Sequence, residues 1–359
     1  MRATPLLYVV ISHHGFGHIA QTAPVVSALQ RRLGRLRVIV QCDAPHAVLT
    51  EHFHVPFEHI AEAADFGMVM NSSLDVDVAA SHARYLDWHA EWGGKLQACA
   101  ERLRRLQPQL VLSNVAYLPL AAAREARVPA AGYCSLNWAD IYYPYCGDLP
   151  GAQTIHRQMR DAYAGADLFL VPTPGMPMPD LPNRVTIGPV ARIGLDRREA
   201  IDRRLRLGRE ERLVLLFMGG VHTDLPLAQW PALSGVQLLT SGTAVVDHPR
   251  IATVGSLDLP YIDVLRSCDA LVTKPGYGSF AEAGCNAIPV LYTRRQSWPE
   301  AEYLVQWLEA YGRCRELNRA DLNSGRLKGA LQALWCDPRP PPVAATGAEE
   351  AADCLRSYF

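Results

Sequence analysis

Short runs that are apolar at nearly every position alternate along this chain with longer segments whose apolar residues recur every three or four places. The runs in the first half are LLYVVIS (6–12), RVIVQC (37–42), LVLSN (110–114), AAGYC (130–134) and LFLVP (168–172). A strand that is apolar on successive positions is buried on both faces, as in a parallel sheet. The amphipathic stretches between, such as 23–34 and about 75–106, then supply the crossover helices. PTPGMPMPDLP (172–182) is too rich in proline for helix or central strand and marks the approach to a boundary. Beyond a basic helical patch near 197–211 the alternation resumes, with strands in RLVLLFMGG (212–220), VQLLTSG (236–242), IATVG (251–255), DALVTKPG (269–276) and IPVLYTR (288–294). Helices are predicted at about 279–287, 300–311 and 320–335, then a stiff linker, DPRPPPVAATG (337–347), and a last short helix.

A chain of 359 residues exceeds the size of one ordinary core. The pattern predicts an α/β protein of two facing, doubly wound, Rossmann-like domains: residues 1–190, residues 191–340, and a tail 341–359 whose helix packs back on the first domain. Ligands of such sheets bind beyond the carboxyl ends of the strands, so functional residues are sought just after strands.

Composition narrows the classes. A formal charge of −1 provides no general attraction to nucleic acid or an anionic membrane, so any phosphate site must be local. The nine cysteines are scattered without a C-x-x-C pair, which reads as reduced thiols rather than a disulfide framework or zinc site. No apolar run approaches the ~20 residues of a membrane span, and the chain enters its first strand without signal-peptide features, so a cytoplasmic location is expected.

Two segments carry candidate chemistry. In DALVTKPGYGSFAEAGCNAIPVLYTRR (269–295) a buried strand ends at Thr273, a loop turns through Lys274, Gly276, Tyr277 and Gly278, and a helix opens near Ser279. Glycines let backbone N–H groups approach an anion, the helix start adds unpaired donors, and Lys274 adds full charge. A capping box of Ser279 and Glu282 explains the same residues without any ligand. Ala281 stands where the third glycine of G-x-G-x-x-G would fall, and no G-K-[ST] follows, so neither dinucleotide fingerprint nor P-loop is present. In ISHHGFGHIAQTAP (11–24), three histidines and two glycines occupy the turn after the first strand.

Together, GFGHIAQTAPVVSAL and GYGSFAEAGCNAIPVL look like the two signatures of GT-B glycosyltransferases. Within that architecture the chain is similar, nearly end to end, to the glycosyltransferase-like domain of plant L-arabinokinases and its stand-alone bacterial relatives. LSNVAYLPLAAAREARVPA, SLNWADIYY, PGMPMPDLP, IGPVARI and YTRRQSWPEAEYL carry that likeness. More distantly it resembles the UDP-glucuronosyltransferases and the peptidoglycan N-acetylglucosaminyltransferase. The resemblance implies metal-independent, inverting transfer from a nucleotide-diphosphate sugar, UDP-linked, to an unidentified acceptor, with no other cofactor. Gly276 to Ser279 would hold the diphosphate, with Gly219 and Gly220 as a second close approach. Glu282 would accept from the ribose hydroxyls, and the backbone at Ser256 and Leu257 would meet the base. Arg294, Arg295 and Glu300 would face the donor sugar. His18 matches the histidine that serves many relatives as acceptor base, ahead of a helix beginning near Thr22, and His13 and His14 are second choices. Gly17, Asn114, Asn137 and Trp138 are acceptor-side candidates.

Departures from the family pattern stand at Asn114, where relatives often carry Asp, and at Ala301, where a second carboxylate often follows the position of Glu300. Two other classes stay open. A sugar-nucleotide epimerase or hydrolase would release free UDP or an isomerised sugar without an acceptor. A non-catalytic nucleotide-sugar-binding module would bind tightly without turnover. Lesser signals have simpler explanations. Asp75 and Asp77 have D-x-D spacing but fall at a helix start, and His52, His54 and His59 lack companion ligands. Trp138, Tyr142 and Tyr143 fit either an acceptor wall or aromatic core.

Overall fold

The computed structural model describes residues 4–12, 14, 16–219, 225–241, 246–295, 297–338 and 340–359. Among these, thirteen strands form two wholly parallel sheets. The first contains β1 (Leu6–Ile11), β2 (Arg37–Gln41), β3 (Glu58–Ile60), β4 (Leu110–Asn114), β5 (Ala130–Tyr133), β6 (Leu168–Pro172) and β7 (Arg184–Ile187), in the order β3-β2-β1-β4-β5-β6-β7. The second contains β8 (Arg212–Phe217), β9 (Val236–Thr240), β10 (Ile251–Thr253), β11 (Ala270–Thr273), β12 (Val290–Tyr292) and β13 (Cys314–Glu316), in the order β10-β9-β8-β11-β12-β13. Each domain therefore repeats one winding, with its first strand central and its order reversing between the first and fourth strands.

The apolar runs explain the centre of each sheet. All six residues of β1 are buried, and alternate residues enter two separate cores, Tyr8 and Val10 on one face, Leu7 and Val9 on the other. β8 does the same for the second domain, with Leu213 and Leu215 opposite Val214 and Leu216. The strands with no apolar run in the sequence, β3, β7 and β13, are sheet edges with mostly exposed or half-buried residues. The stretch at 75–106 is two helices, Val78–Ala90 and Trp92–Leu106. The one expected at 320–335 is also two, Arg319–Ser324 and Lys328–Cys336, parted at Gly325, whose φ of +68° suits a helix C-cap. The final helix, Gly347–Leu355, buries Ala351, Ala352 and Leu355 in the first domain's core, beside the helix Gly17–Leu33. No helix among the described residues is long and apolar enough to cross a membrane.

Candidate active site

The chain leaves β1 toward His18 and ends β4 at Asn114, so these two sit at the point where the first sheet's strand order reverses. In the second sheet Gly219 follows β8 and Lys274 follows β11, at the equivalent point. The helices that open there, Gly17–Leu33 and Tyr277–Cys285, touch each other across the domain boundary. Among the described residues neither has a side-chain cap hydrogen bond, and both place the positive ends of their dipoles at the cleft.

His18 lies in the first turn of its helix, which begins at Gly17 rather than near Thr22. It is buried, with Nδ1 2.9 Å from Asn114 Oδ1. The amide nitrogen of Asn114 reaches the main-chain carbonyl of His18 (3.2 Å), Gln21 Oε1 (3.2 Å) and Thr22 Oγ1 (2.9 Å). A carbonyl only accepts, which fixes the orientation of the Asn114 amide. His18 must then carry its proton on Nδ1 and its lone pair on Nε2. Asn114 is fully buried, so it orients His18 rather than meeting an acceptor. Cys134 Sγ lies 3.6 Å from the same Nδ1, and burial pushes that thiol far up, keeping it neutral.

The side chains of the other described first-domain candidates are structural. His14 donates from Nε2 to the Met68 carbonyl (3.2 Å) and lies between Trp138 and Trp298, at centroid distances of 5.2 and 6.0 Å. Burial, then the nearby Arg295, His18 and Lys274, push its pKa down to about 3, so the ring is neutral with its hydrogen already committed. Trp138 is fully buried and donates to Asp65 Oδ2 (2.7 Å), which places it in the core rather than on an acceptor wall. Asp65 also accepts from Ser12 (2.6 Å), and burial raises its pKa to about 6. Asn137 is spent as the N-cap of the helix Trp138–Cys146, accepting from Asp140 N at 2.8 Å. Tyr142 is buried against His82 (2.8 Å), while Tyr143 is exposed and stacks on His156. A Cβ on Gly17 would meet nothing within 4 Å.

On the second domain, Gly276 is the cap of the helix Tyr277–Cys285, which leaves Glu282 in the second turn and removes the capping-box reading of Ser279 and Glu282. Glu282 is buried and paired with Arg192 (2.7 Å), so its carboxylate is already shared. The Tyr277 hydroxyl accepts from Val190 N (2.8 Å) and donates to the Thr173 carbonyl (3.3 Å), which makes the side chain a strut to the first domain. Gly278 faces open space. Lys274 Nζ makes no hydrogen bond or ion pair with any described residue. A Cβ on Gly219, whose φ is +82°, would lie 3.4 Å from that ammonium. Burial, with repulsion from Arg295, holds the Lys274 pKa well below the usual amine range.

Of the expected sugar-facing residues, Arg294 points outward, pairing with Glu302 (2.9 Å) and Glu316 (2.8 Å). Arg295 points inward, donates to the Ser73 carbonyl (3.0 Å) and lies 4.2 Å over Trp298, and burial lowers its pKa to about 10. Glu300 is buried, accepting from Ser135 (2.7 Å) and Trp298 Nε1 (3.2 Å), and burial pushes its carboxyl up. Ser256 is exposed and bonds to the Thr253 carbonyl, while the Leu257 side chain is core. His13 and Gly220 lie outside the described residues. Asp77 caps the helix Val78–Ala90, and Asp75 pairs with Arg319 of the other domain (2.6 Å). Among the described residues no three His, Cys, Asp or Glu side chains form a metal-binding group.

Sequence reasoning missed Gln21, Asp65, Ser135 and Trp298. The usable signals were spacing and position. Gln21 follows His18 by three residues on one helix face, and Ser135 stands just beyond the end of β5.

No family model matches the chain. It is 26% identical over 324 residues, 88% of its length, to the L-arabinokinase of Arabidopsis thaliana, of which it spans 31%. Similar solved structures include the calicheamicin glycosyltransferase CalG4, with a TM-score of 0.64 and 16% identity over 100% of this chain and 94% of that one. A UDP-glucosyltransferase from Polygonum tinctorium superposes with a TM-score of 0.60 and 14% identity, over 99% and 98%. The glycosyltransferase VinC in complex with dTDP gives 0.57 and 15%, over 98% and 94%. By fold, therefore, the chain has the GT-B arrangement of two Rossmann-like domains found in these glycosyltransferases.

Proposed function

We propose that the chain transfers a sugar from a nucleotide-diphosphate sugar, UDP-linked, to an acceptor hydroxyl, with inversion and without a metal. The observation that carries this reading is Lys274, a partly desolvated amine with no hydrogen bond or ion pair among the described residues, beside Gly219 and a helix start without a side-chain cap. Such a site favours an anion of the size of a diphosphate. Support for the base comes from the tautomer that Asn114 imposes, which leaves the His18 lone pair on Nε2. In the reaction the acceptor O–H proton passes to His18 Nε2 as the acceptor oxygen bonds to the anomeric carbon. The bond from that carbon to phosphate breaks, and the diphosphate leaves with its charge held by Lys274 and the N–H groups after Gly276. Gly17 and Gly278 face open space on either side of the cleft, so packing does not require glycine there, whereas close approach of a ligand does. Glu282 reaches a ribose only while shared with Arg192.

A hydrolase or epimerase acting at the same diphosphate site is the second reading, favoured by the burial of His18. A thermal-shift panel of nucleotides and nucleotide sugars tests the donor, since a ligand that binds only the folded state raises Tm. UDP and a UDP-sugar should stabilise the protein. No shift with either, alongside a shift with another nucleotide, removes the uridine assignment. His18→Ala should lower transfer by roughly 10²–10⁴-fold while leaving the UDP shift in place, and unchanged transfer would remove the base.

A further inference from the structure

His18 and Glu300 belong to different domains, yet a continuous line of buried hydrogen bonds joins them. Its direction is forced link by link. The His18 carbonyl fixes the amide nitrogen of Asn114, so His18 Nδ1 donates to Asn114 Oδ1 (2.9 Å). That nitrogen also donates to Gln21 Oε1 (3.2 Å), which leaves Gln21 Nε2 to donate to Ser135 Oγ (3.1 Å). Ser135 then has one hydrogen, and it goes to Glu300 Oε1 at 2.7 Å. Gln21, Asn114, Ser135 and Glu300 are all buried, with relative exposures of 3%, 0%, 1% and 4%. Every link donates away from His18, so within Asn114, Gln21 and Ser135 the accepting oxygen faces His18 and the donated hydrogen faces Glu300. Four aligned bonds in a low-dielectric interior polarise one another, favouring a cation at the imidazole end and an anion at the carboxylate end.

We propose that Glu300 is a positioning residue for His18, acting from the second domain through Ser135, Gln21 and Asn114, so that the base is complete only when the domains meet. The inference rests on the reading of His18 as the base. Asn114 brings no charge of its own to His18, and this line brings the influence of a carboxylate from across the boundary. No proton travels along it, because amides keep their hydrogens. The effect is orientation and charge stabilisation. Among the described residues the groups facing His18 include Asn114, His14, Cys134 and the Trp138 ring. Those facing Glu300 are Ser135, Trp298, Arg295, Lys274, Cys134 and Tyr277.

The test is the titration of His18 in the full chain, followed by NMR with isotope-labelled histidine and assigned with His18→Gln. Glu300→Gln and Ser135→Ala should each lower the His18 midpoint by ~0.5 unit or more, a fraction of the 1–3 units of a directly bonded charge. The double variant should shift no further than either alone, and Ser135→Thr should restore the wild-type value. Gln21→Leu cuts the line without touching Glu300 and should reproduce the shift. An unmoved midpoint in Glu300→Gln, or additive shifts in the double variant, overturns the proposal, since a through-space field does not need the serine. The acid limb of the pH–rate profile separates the two readings. If the NMR midpoint moves and the limb does not, His18 is not the base and the relay still stands.

Discussion

Asp65 gives the sharpest quantitative test of the first domain's core. Its carboxylate is 6% exposed and accepts from Ser12 (2.6 Å) and Trp138 (2.7 Å), yet burial outweighs both bonds and raises its pKa from 3.8 to about 6. A rise of this size corresponds to about 3 kcal/mol at 1.36 kcal/mol per unit. Between these two values the folded protein holds a proton that the unfolded chain has lost. Stability therefore falls as pH rises from about 4 to 6, and the loss is complete above that. Asp65→Asn removes the titration while keeping both bonds, because the new amide accepts from Trp138 and donates to a rotated Ser12 hydroxyl. Urea unfolding of both proteins at pH 4, 6 and 7.5 reads the difference, in which the other carboxylates cancel. The variant should gain about 3 kcal/mol relative to wild type between pH 4 and 7.5. A gap that stays constant with pH refutes the argument that desolvation dominates at Asp65.

Lys274→Met should weaken UDP binding roughly 10- to 150-fold, the loss of a charged hydrogen bond of about 1.5–3 kcal/mol. Because the Lys274 pKa is lowered when the site is empty, UDP binding should take up a proton and weaken as pH rises. Calorimetry in buffers of different ionisation heat should detect that proton in wild type and not in Lys274→Met. Leu355→Ala should cost about 2–5 kcal/mol, read as a fall in Tm, because the side chain is fully buried in the first domain's core. Gly67→Ala should destabilise by about 1–3 kcal/mol and disturb His14. Gly67 has φ of +65°, and a Cβ there would lie 2.7 Å from the His14 ring and 2.9 Å from Trp138. An alanine variant with unchanged Tm would show that these rings give way freely.

The doubly wound architecture is legible in the sequence because its central strands are buried on both faces and so are apolar at successive positions. Edge strands such as β3 and β13 lack that imprint, since one side meets water or the partner strand is missing. The placement of Lys274 and His18 just after strands is legible for the same topological reason. Side-chain direction is not. Arg294 and Arg295 are neighbours in a strand-end segment, where successive side chains point opposite ways, and only one of them faces inward. Asn114 reads from the sequence as an acceptor contact, and its role as the partner of His18 depends on a helix that starts at Gly17. Glu300 and Ser135 are 165 positions apart, and no local pattern announces their bond.

The chain crosses between its domains twice, once after Val190, which packs in the first domain, and again between Val343, which packs in the second, and Gly347. The crossings are stitched together where Gly347 N donates to the Pro189 carbonyl (3.0 Å) and Glu350 accepts from Gly188 N (2.9 Å). A single tether would let one domain both swing and twist against the other. Two tethers fastened side by side behave as a door on two pins, leaving one axis of rotation. A rotation about that axis would part Glu300 from Ser135, whose bond spans the two domains. A nick in the second crossing should release the twist, visible as a broader distribution of distances between spin labels placed on the two domains.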